Sequence, residues 1–496
     1  MKRDLSQSLL RAHSRGSLSR LMFEAEQCNG VTVSHDRSLA FRLVQCAVFL
    51  CRLITPFSYV YLLSQCVQPL DPARFPGGPV MYAVFLLWML AEALFFPYYY
   101  YLFTQLNLPN EDLQHLARDA ESRRKLVTQA LQALVASGRE GGEAPEAYVR
   151  RAVQGWFLDQ PLVKVHFGNM AAWTAWAFFG KDVRHMDLQE TRENNEIVRH
   201  IEACAQWKFA PGFNADIPSL RLNLDPVFAT QRPFVFYACI FFVNRIAHLL
   251  LYLQGFRRED SCCSAAQNIY RRPAASASSS GSGKLPVVFV HGIGVGFAHY
   301  LYLLRQLPGD SDVFLVEWPY VTMQMATRGP TIDEAVQGVV RTLGMYGHQQ
   351  AAFVAHSLGS SLVSWMLHDP LAARCVASTV LIDPIIFLLC DPTVASVFVY
   401  KDPSKTVDLL MHFFLSRELF ISNALSRHFA WSHNILFVED MLNNKPCCTA
   451  YRHLVVPTGS VDGTMTTAGS LPETAVHHRT HNKVEHTVSL SLCLLI

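Results

Sequence analysis

Residues 351–362 read AAFVAHSLGSSL, and this short stretch decides the fold class. Its apolar first half predicts a buried strand, and the residues after Ser357 predict a helix. A serine on such a tight strand-to-helix turn projects its hydroxyl off the sheet, while the helix N-terminus offers backbone N–H groups to an anion. The strained turn requires small residues two positions before and after the serine, and Ala355 and Gly359 meet that requirement. Ser357 is therefore predicted to be a nucleophile, with a purely structural serine as the alternative.

The sequence on either side of this turn alternates between short apolar runs and helical segments. Residues 285–290, 313–316 and 379–382 predict strands, and residues 331–346 predict a helix. The first of these strands ends in the glycine-rich loop 291–296, HGIGVG. Strands that alternate with helices are typical of a parallel sheet built from βαβ units, so an α/β fold is predicted. The glycine spacing departs from G-x-G-x-x-G, which argues against a dinucleotide site.

Four longer motifs carry a family resemblance, with weaker support from GWF at 155–157 and WTAWAFFG at 173–180. They are FVHGIGVGFAHY at 289–300, AHSLGS at 355–360, LIDPIIFLL at 381–389 and SRELFISNALSRHFAW at 416–431. Together they resemble the α/β-hydrolase superfamily, and more narrowly its membrane-associated serine hydrolases from fungi, plants and protists. The resemblance implies a doubly wound, mostly parallel sheet with a helical cap. It also implies serine chemistry without metal or cofactor, and an oxyanion hole formed by N–H groups of Leu358 and of Gly292 or Ile293.

The acidic member of a Ser-His-acid triad has two candidates. Asp383 follows the strand at 379–382, a position from which some members of the superfamily supply the acid. More members supply it after the next strand, where this chain has His453 instead, and Asp462 follows shortly afterwards. Asp383 also has a simpler explanation, as an Asp-Pro turn that caps the following helix. Asp383, Asp462 and a missing acid thus stay open as three alternatives.

The C-terminal residues offer four histidines as the catalytic base, namely His477, His478, His481 and His486. His486 lies where the resemblance places the terminal histidine before the last helix. Residues 458–474 are rich in Thr and Gly and have no strand periodicity, so a disordered tail that carries histidines is the alternative. The predicted catalytic set is therefore Ser357, Asp383 and His486.

Residues 384–431 insert a long helical segment after the strand at 379–382. Insertions at this place in the superfamily usually form a cap over the nucleophile. Four phenylalanines would give such a cap an apolar lining suited to an acyl chain, namely Phe413, Phe414, Phe420 and Phe429. Ordinary packing within a helical core explains them equally well.

Three apolar stretches precede the hydrolase-like part, at 41–65, 80–103 and 234–254. Each contains charged or polar residues, so none is an uninterrupted apolar span of about 18 residues or more. The first two predict a hairpin of membrane helices, with a buried helical pair as the alternative. Arginines precede the first stretch and follow the third, so the positive-inside rule favours an interfacial helix at 234–254 over a third crossing.

The composition limits the possible functions. The 42 Lys and Arg residues balance 40 Asp and Glu residues to a net charge of +2, so there is no general basic field for nucleic acid. Half of the residues are hydrophobic, which rules out disorder over most of the chain. The 13 cysteines include no C-x-x-C pair, which indicates reduced thiols facing the cytosol rather than disulfides or a zinc site.

The sequence predicts six parts. They are a basic N-terminal segment (1–40), a transmembrane helical hairpin (41–104), an all-helical region with an interfacial helix at 234–254 (105–256), a flexible linker (257–284), an α/β-hydrolase domain with a cap at about 384–431 (285–446) and a divergent C-terminal segment (447–496). The linker is placed by the run PAASASSSGSGK at 273–284, which cannot bury enough apolar surface to order itself.

These features predict a membrane protein whose hydrolase domain faces the cytosol and cleaves an ester or thioester of a lipid or another apolar acyl compound. Two alternatives stand beside this hypothesis. One is a non-catalytic membrane scaffold that keeps the hydrolase fold for partner binding. The other is acyl transfer to an acceptor alcohol by the same serine, which only product analysis separates from hydrolysis. The sequence leaves the oligomeric state open.

Overall fold

The computed structural model describes residues 38–108, 118–260, 264, 266–275, 284–387, 389–400, 402–443 and 453–456. The helices before the sheet are α1 (Leu39–Val67), α2 (Gly78–Leu106), α3 (Ala120–Glu140), α4 (Pro145–Trp156), α5 (Phe167–Phe179), α6 (Leu188–Ala205) and α7 (Phe234–Leu253). The region before the hydrolase-like motifs is therefore helical, as the sequence predicts.

A sheet of mostly parallel strands follows, with helices between the strands. Its elements are β1 (Arg257–Arg258), β2 (Asn268–Arg272), β3 (Val287–Val290), α8 (Leu301–Gln306), β4 (Val313–Glu317), α9 (Ile332–Met345), β5 (Ala351–His356), α10 (Ser360–His368), β6 (Val376–Ile382), α11 (Pro392–Ala395), α12 (Thr406–Met411), α13 (Leu419–Asn423), α14 (Trp431–Asn434), α15 (Val438–Asn443) and β7 (His453–Val456). The predicted strands at 285–290, 313–316 and 379–382 and the predicted helix at 331–346 are confirmed.

The strand order within the described residues is β1-β2-β4-β3-β5-β6-β7. The five neighbouring strands β4, β3, β5, β6 and β7 pair in parallel. In contrast, β1 pairs antiparallel with β2, and β2 pairs antiparallel with β4. The carboxyl ends of β3, β5 and β6 therefore meet at one edge of the sheet. That edge carries the glycine-rich loop, Ser357 and Asp383.

Two of the strands lie inside residues 257–284, which the sequence analysis assigns to a flexible linker. All five residues of β2 pair with β4, and Ile269 is buried against the sheet. The backbone pairing and this burial fix residues 268–272 as a strand. The strand β7 falls within the segment 447–496, which the sequence predicts to be divergent.

The helices before the sheet and the helices between β6 and β7 share one hydrophobic core. This core joins residues of α3 to α6 with residues of α11 to α14, for example Trp176 with Trp431. Side chains also cross between the two regions, since Trp431 Nε1 donates to the carbonyl oxygen of Ala177 at 3.1 Å and the Tyr148 hydroxyl donates to Asp391 Oδ2 at 2.8 Å. The helical region and the segment after β6 therefore form one layer of helices.

Within the described residues, three helices are long and apolar enough to cross a membrane, namely α1, α2 and α7. Only 17% and 22% of the most apolar windows of α1 and α2 are buried, which disfavours the alternative of a buried helical pair. The two helices form a hairpin in which the Tyr59 hydroxyl donates to the carbonyl oxygen of Ala93 at 2.7 Å. Membrane association follows from these exposed apolar surfaces.

Glu92 explains why a charge occurs inside the apolar helix α2. Its carboxylate accepts the backbone N–H groups of Phe234 at 2.7 Å and Val235 at 2.9 Å, and also the indole N–H of Trp88 at 3.0 Å. Phe234 and Val235 begin α7, and the first N–H groups of a helix have no partner within the helix. Glu92 therefore caps α7 and joins it to the hairpin, with the favourable helix dipole as a further contribution.

Candidate active site

Ser357 occupies a strained turn between β5 and α10. Its φ is +50°, a left-handed conformation that is uncommon for a residue with a side chain. Residues Ser357–Gly359 form a single 3₁₀ turn before the helix begins at Ser360. Strain of this kind persists where the surrounding structure holds it, and it clusters at functional sites. The turn predicted from Ala355 and Gly359 is thus present.

Gly359 is required because the turn packs directly against the loop after β3. A Cβ atom at this position would lie 2.5 Å from the carbonyl oxygen of His291 and 2.6 Å from that of Val290. Both neighbours are backbone atoms, so the chain itself would have to move. Gly292 faces the turn from the other side, and a Cβ there would lie 2.9 Å from Ser357 Cβ.

We expect Gly359→Ala to destabilise the protein by about 1–3 kcal/mol, the usual cost of overpacking, and to slow the reaction of Ser357 with a fluorophosphonate. Thermal unfolding in detergent and the labelling rate measure the two effects. Gly344→Ala is the matched control, because Gly344 lies in α9 with no atom within 4 Å of the added Cβ. This control should be unchanged or more stable by up to about 1 kcal/mol. Equal behaviour of the two variants would contradict the packing argument.

Asp383 lies beside Ser357 at the edge of the sheet. His356 and Ile382 are paired residues of the parallel strands β5 and β6, and Ser357 and Asp383 are the residues that directly follow them. Asp383 is 7% exposed and also has a positive φ, +44°. Burial lowers the pKa of His356 to about 4, while the Asp383 carboxylate acts in the opposite direction. The predicted acid is therefore next to the strand that carries Ser357.

His291 fixes one peptide of the glycine-rich loop. The Trp318 backbone N–H donates to His291 Nε2 at 3.0 Å, so the proton of the neutral ring is on Nδ1. His291 Nδ1 then donates to the carbonyl oxygen of Gly292 at 2.7 Å. Burial lowers the pKa of His291, which keeps this ring neutral. Since C=O and N–H point in opposite directions across a trans peptide, this bond also sets the direction of the Ile293 N–H.

Tyr300 joins the same loop to the residue before the nucleophile. Its hydroxyl accepts the backbone N–H of Gly292 at 3.0 Å and donates to His356 Nδ1 at 2.5 Å. The Gly292 N–H is therefore already occupied, whereas the Ile293 N–H has no hydrogen-bond partner among the described residues. Of the N–H groups predicted to form an oxyanion hole, Ile293 fits that role better than Gly292, together with Leu358 on the turn.

The described residues contain only part of the predicted catalytic set. His486 and the alternative acid Asp462 lie outside them, as do His477, His478 and His481. Within the described part of the chain, the Ser357 hydroxyl makes no hydrogen bond, and no group of three or more His, Cys, Asp and Glu side chains is arranged to hold a metal ion.

The four phenylalanines predicted to line a cap have different neighbours. Phe413 and Phe414 contact Phe236 of α7, and Phe420 packs against Tyr237 of the same helix. They attach the segment after β6 to α7. Phe429 instead packs against the same hydrophobic clusters as Ile293 and Ile385. Phe429 is thus the member of the set that shares both clusters with Ile293.

Three supporting residues were not singled out from the sequence. His291, Tyr300 and His356 all lie within quoted motifs, but their roles depend on side chains that meet only in the folded sheet. The His-Gly pair at a strand end was a usable signal for His291. Tyr300 had no comparable signal, because its partners are Gly292 and His356.

Comparisons with known proteins find similarity among solved structures alone. No family model and no curated protein matches the chain. Among solved structures, a bacterial membrane phospholipase A described as a virulence factor is similar at 11% identity, with a TM-score of 0.28 over 45% of this chain and 84% of that protein. An esterase from Rhodococcus sp. has 18% identity and a TM-score of 0.26 over 40% and 79% of the two chains. The carboxylesterase CesB of Bacillus subtilis has 8% identity and a TM-score of 0.25 over 44% and 79%.

These similar structures are hydrolases of esters by their descriptions. They give no support to the narrower resemblance to membrane-associated hydrolases of fungi, plants and protists. Identities and TM-scores this low assign no function to the chain, so the function is argued from the residues around Ser357.

Proposed function

We propose that this chain is a serine hydrolase of the α/β-hydrolase fold that cleaves an ester or thioester of an apolar acyl compound at a membrane. The observation that carries the proposal is the left-handed conformation of Ser357 on the turn from β5 to α10. Asp383 at the end of the neighbouring strand and the Ile293 N–H, which has no hydrogen-bond partner among the described residues, support the proposal.

The strand order supports the fold assignment. An antiparallel β2 leads into the parallel strands β4-β3-β5-β6-β7, and the serine follows the fifth strand. The α/β-hydrolase nucleophile occupies such a strand-to-helix turn at the top of the sheet. The helices between β6 and β7 form the proposed cap.

In the proposed mechanism, Ser357 Oγ attacks the acyl carbonyl carbon while a histidine takes the serine proton. The N–H groups of Ile293 and Leu358 hold the negative charge that develops on the carbonyl oxygen. Collapse of this intermediate breaks the bond to the alcohol or thiol, which leaves with the proton from the histidine. Water then hydrolyses the acyl-serine by the same route. We assign the base to His486 and the acid to Asp383, with Asp462 as the alternative acid.

The apolar substrate class is supported by residues that share hydrophobic clusters with Ile293 of the oxyanion loop. Ile293, Ile385 and Phe429 are partly buried and pack against the hydrophobic clusters of the helical layer and of the sheet. An acyl chain placed here contacts hydrocarbon rather than polar groups.

The proposed membrane arrangement is a hairpin of α1 and α2 with α7 along the interface. One side of α7, including Ala247 and Leu251, is buried, whereas Phe242 and Leu249 on the other side are exposed. A helix that is attached to a water-facing domain along its length suits the interface better than a crossing. The seven described cysteines are free, which supports a cytosolic position of the hydrolase part.

Ester hydrolysis by the purified, detergent-solubilised protein tests the proposal. We expect kcat/KM to be at least about tenfold higher for p-nitrophenyl octanoate than for the acetate, because each buried CH₂ contributes about 0.8 kcal/mol. Chromatography of the products with and without an added long-chain alcohol separates hydrolysis from acyl transfer. If the folded protein cleaves no ester and no thioester, the non-catalytic scaffold becomes the better account.

A further inference from the structure

The side of α7 that faces the sheet carries two polar residues, in a helix that is mostly apolar apart from the exposed Arg245. Asn244 and His248 are four residues apart and so lie on the same face, one turn above the other. Asn244 is 3% exposed, and His248 is half-buried. Polar groups are costly to place against apolar surfaces unless they are hydrogen-bonded. The Asn244 amide donates to the carbonyl oxygen of Ile240 in its own helix at 3.0 Å, whereas His248 makes a specific contact with the sheet.

The contact is with Glu317, the last residue of β4, whose side chain is fully buried. Its Oε1 atom accepts from His248 Nε2 at 3.0 Å and from Gln324 Nε2 at 3.1 Å. Its Oε2 atom accepts from Asn268 Nδ2 at 2.9 Å and from the Tyr270 hydroxyl at 3.1 Å. Burial raises the pKa of Glu317, but the hydrogen bonds from His248 and Asn268 outweigh it and hold the pKa at about 2. Four donors thus hold one carboxylate between α7 and the sheet.

The residue after Glu317 continues this chain of contacts to the oxyanion loop. The Trp318 N–H holds His291, and His291 holds the carbonyl oxygen of Gly292. That bond orients the N–H of Ile293, the proposed oxyanion donor. The His248 ring is thus connected to the Gly292–Ile293 peptide through Glu317, the backbone of Trp318 and the His291 ring.

A second contact links α7 to the same loop without Glu317. A Cβ atom at Gly296 would lie 2.6 Å from Asn244 Oδ1, so the loop runs against the helix with no space between them. Gly296 has a φ of +64°, which also favours glycine. The helix α7 therefore contacts the loop directly at Gly296 and is also linked to it through Glu317.

We propose that α7 supports the oxyanion loop, and that His248 and Glu317 are positioning residues for the oxyanion donor at Ile293. The inference rests on the proposed function in so far as Ile293 serves catalysis. It assigns a second task to a helix whose other face is apolar and exposed, through Phe241, Phe242, Ile246, Leu249 and Leu253. The helix that meets the membrane also holds the catalytic loop in place.

His248→Phe is the decisive variant, because the new ring keeps the stacking on Tyr270, now at 5.4 Å between ring centres, and removes the ring nitrogen that lies 3.0 Å from Glu317 Oε1 and 3.3 Å from the Tyr270 hydroxyl. We expect kcat to fall by about tenfold, a part of the roughly 10²–10³-fold cost of losing an oxyanion donor completely. KM should stay unchanged, since the oxyanion forms only in the transition state. His248→Gln keeps a side-chain N–H donor and should recover most of the loss. Leu249→Ala, on the exposed side of α7, is the control and should behave as wild type.

Hydrogen exchange, followed by mass spectrometry on peptides that cover residues 287–300, is the readout that does not depend on activity. We expect faster exchange in this segment for His248→Phe than for wild type or Leu249→Ala. Unchanged exchange and unchanged kcat in His248→Phe would overturn the inference. If wild type hydrolyses no ester, the proposed function fails, and the exchange result alone decides whether α7 supports the loop.

Discussion

Ser357→Ala will reduce ester hydrolysis by at least about 10⁴-fold, leaving only the residual rate that binding and oxyanion contacts provide. The reason is that no covalent acyl-enzyme forms without the hydroxyl. The φ of +50° at Ser357 is a conformation that alanine tolerates no better than serine, so the variant should fold with little change in stability. Initial rates with the octanoate ester and thermal unfolding in detergent measure both quantities.

Ser361→Ala is the matched control for this variant. Ser361 lies in α10, one turn beyond the nucleophile, and its buried hydroxyl has no hydrogen-bond partner among the described residues. Removing an unpaired buried hydroxyl costs little, so this variant should keep wild-type activity. Loss of activity in Ser361→Ala alone, with Ser357→Ala still active, would contradict the assignment of the nucleophile.

Asp383→Asn will lower kcat by about 10⁴-fold if Asp383 orients the catalytic histidine, because an amide in place of the acid favours the wrong tautomer of the base. His486→Ala should cause a loss of similar size, since the serine would have no proton acceptor. The side chain of asparagine has the same shape as that of aspartate, so the turn at Asp383, with its φ of +44°, should be kept.

Asp462→Asn is the paired variant that separates the two candidate acids. We expect it to keep wild-type rates. The opposite pattern, with Asp462→Asn inactive and Asp383→Asn active, would move the acid to Asp462 and leave Asp383 as a turn residue. Full activity of His486→Ala would exclude His486 as the base and direct the search to the other C-terminal histidines.

The turn at Ser357 is predictable because its requirements are local. An apolar strand, small residues at positions 355 and 359 and a following helix are all contained in a dozen residues. The position of Asp383 at the end of a strand followed from the same reasoning, and the parallel pairing of His356 with Ile382 places it next to Ser357. Local sequence therefore gave the framework of the site.

Features that depend on distant partners were not predictable in this way. The run NIYRR at 268–272 is a strand because β4 offers it an antiparallel edge, although it lies in a segment that is otherwise typical of a linker. Glu92 interrupts an apolar helix because the first N–H groups of α7 need an acceptor. Gly292 and Ile293 are equivalent in a one-dimensional motif, and only the Tyr300 hydroxyl distinguishes them.

The three apolar helices were predictable from composition, but their contacts with other elements were not. Composition identified all three apolar stretches, and the structure confirms them as long helices. Composition did not indicate that Phe413 and Phe420 would attach the segment after β6 to α7. It also did not indicate that His248 would meet Glu317, because that contact joins residues on separate elements.

The proposed function depends on Ser357 being an activated nucleophile. The most direct measurement is to react the folded, detergent-solubilised protein with a fluorophosphonate and to locate the adduct by mass spectrometry of its peptides. The account predicts a single adduct on Ser357, absent from Ser357→Ala and present in Ser361→Ala. An adduct on another residue, or none on folded protein, would contradict it.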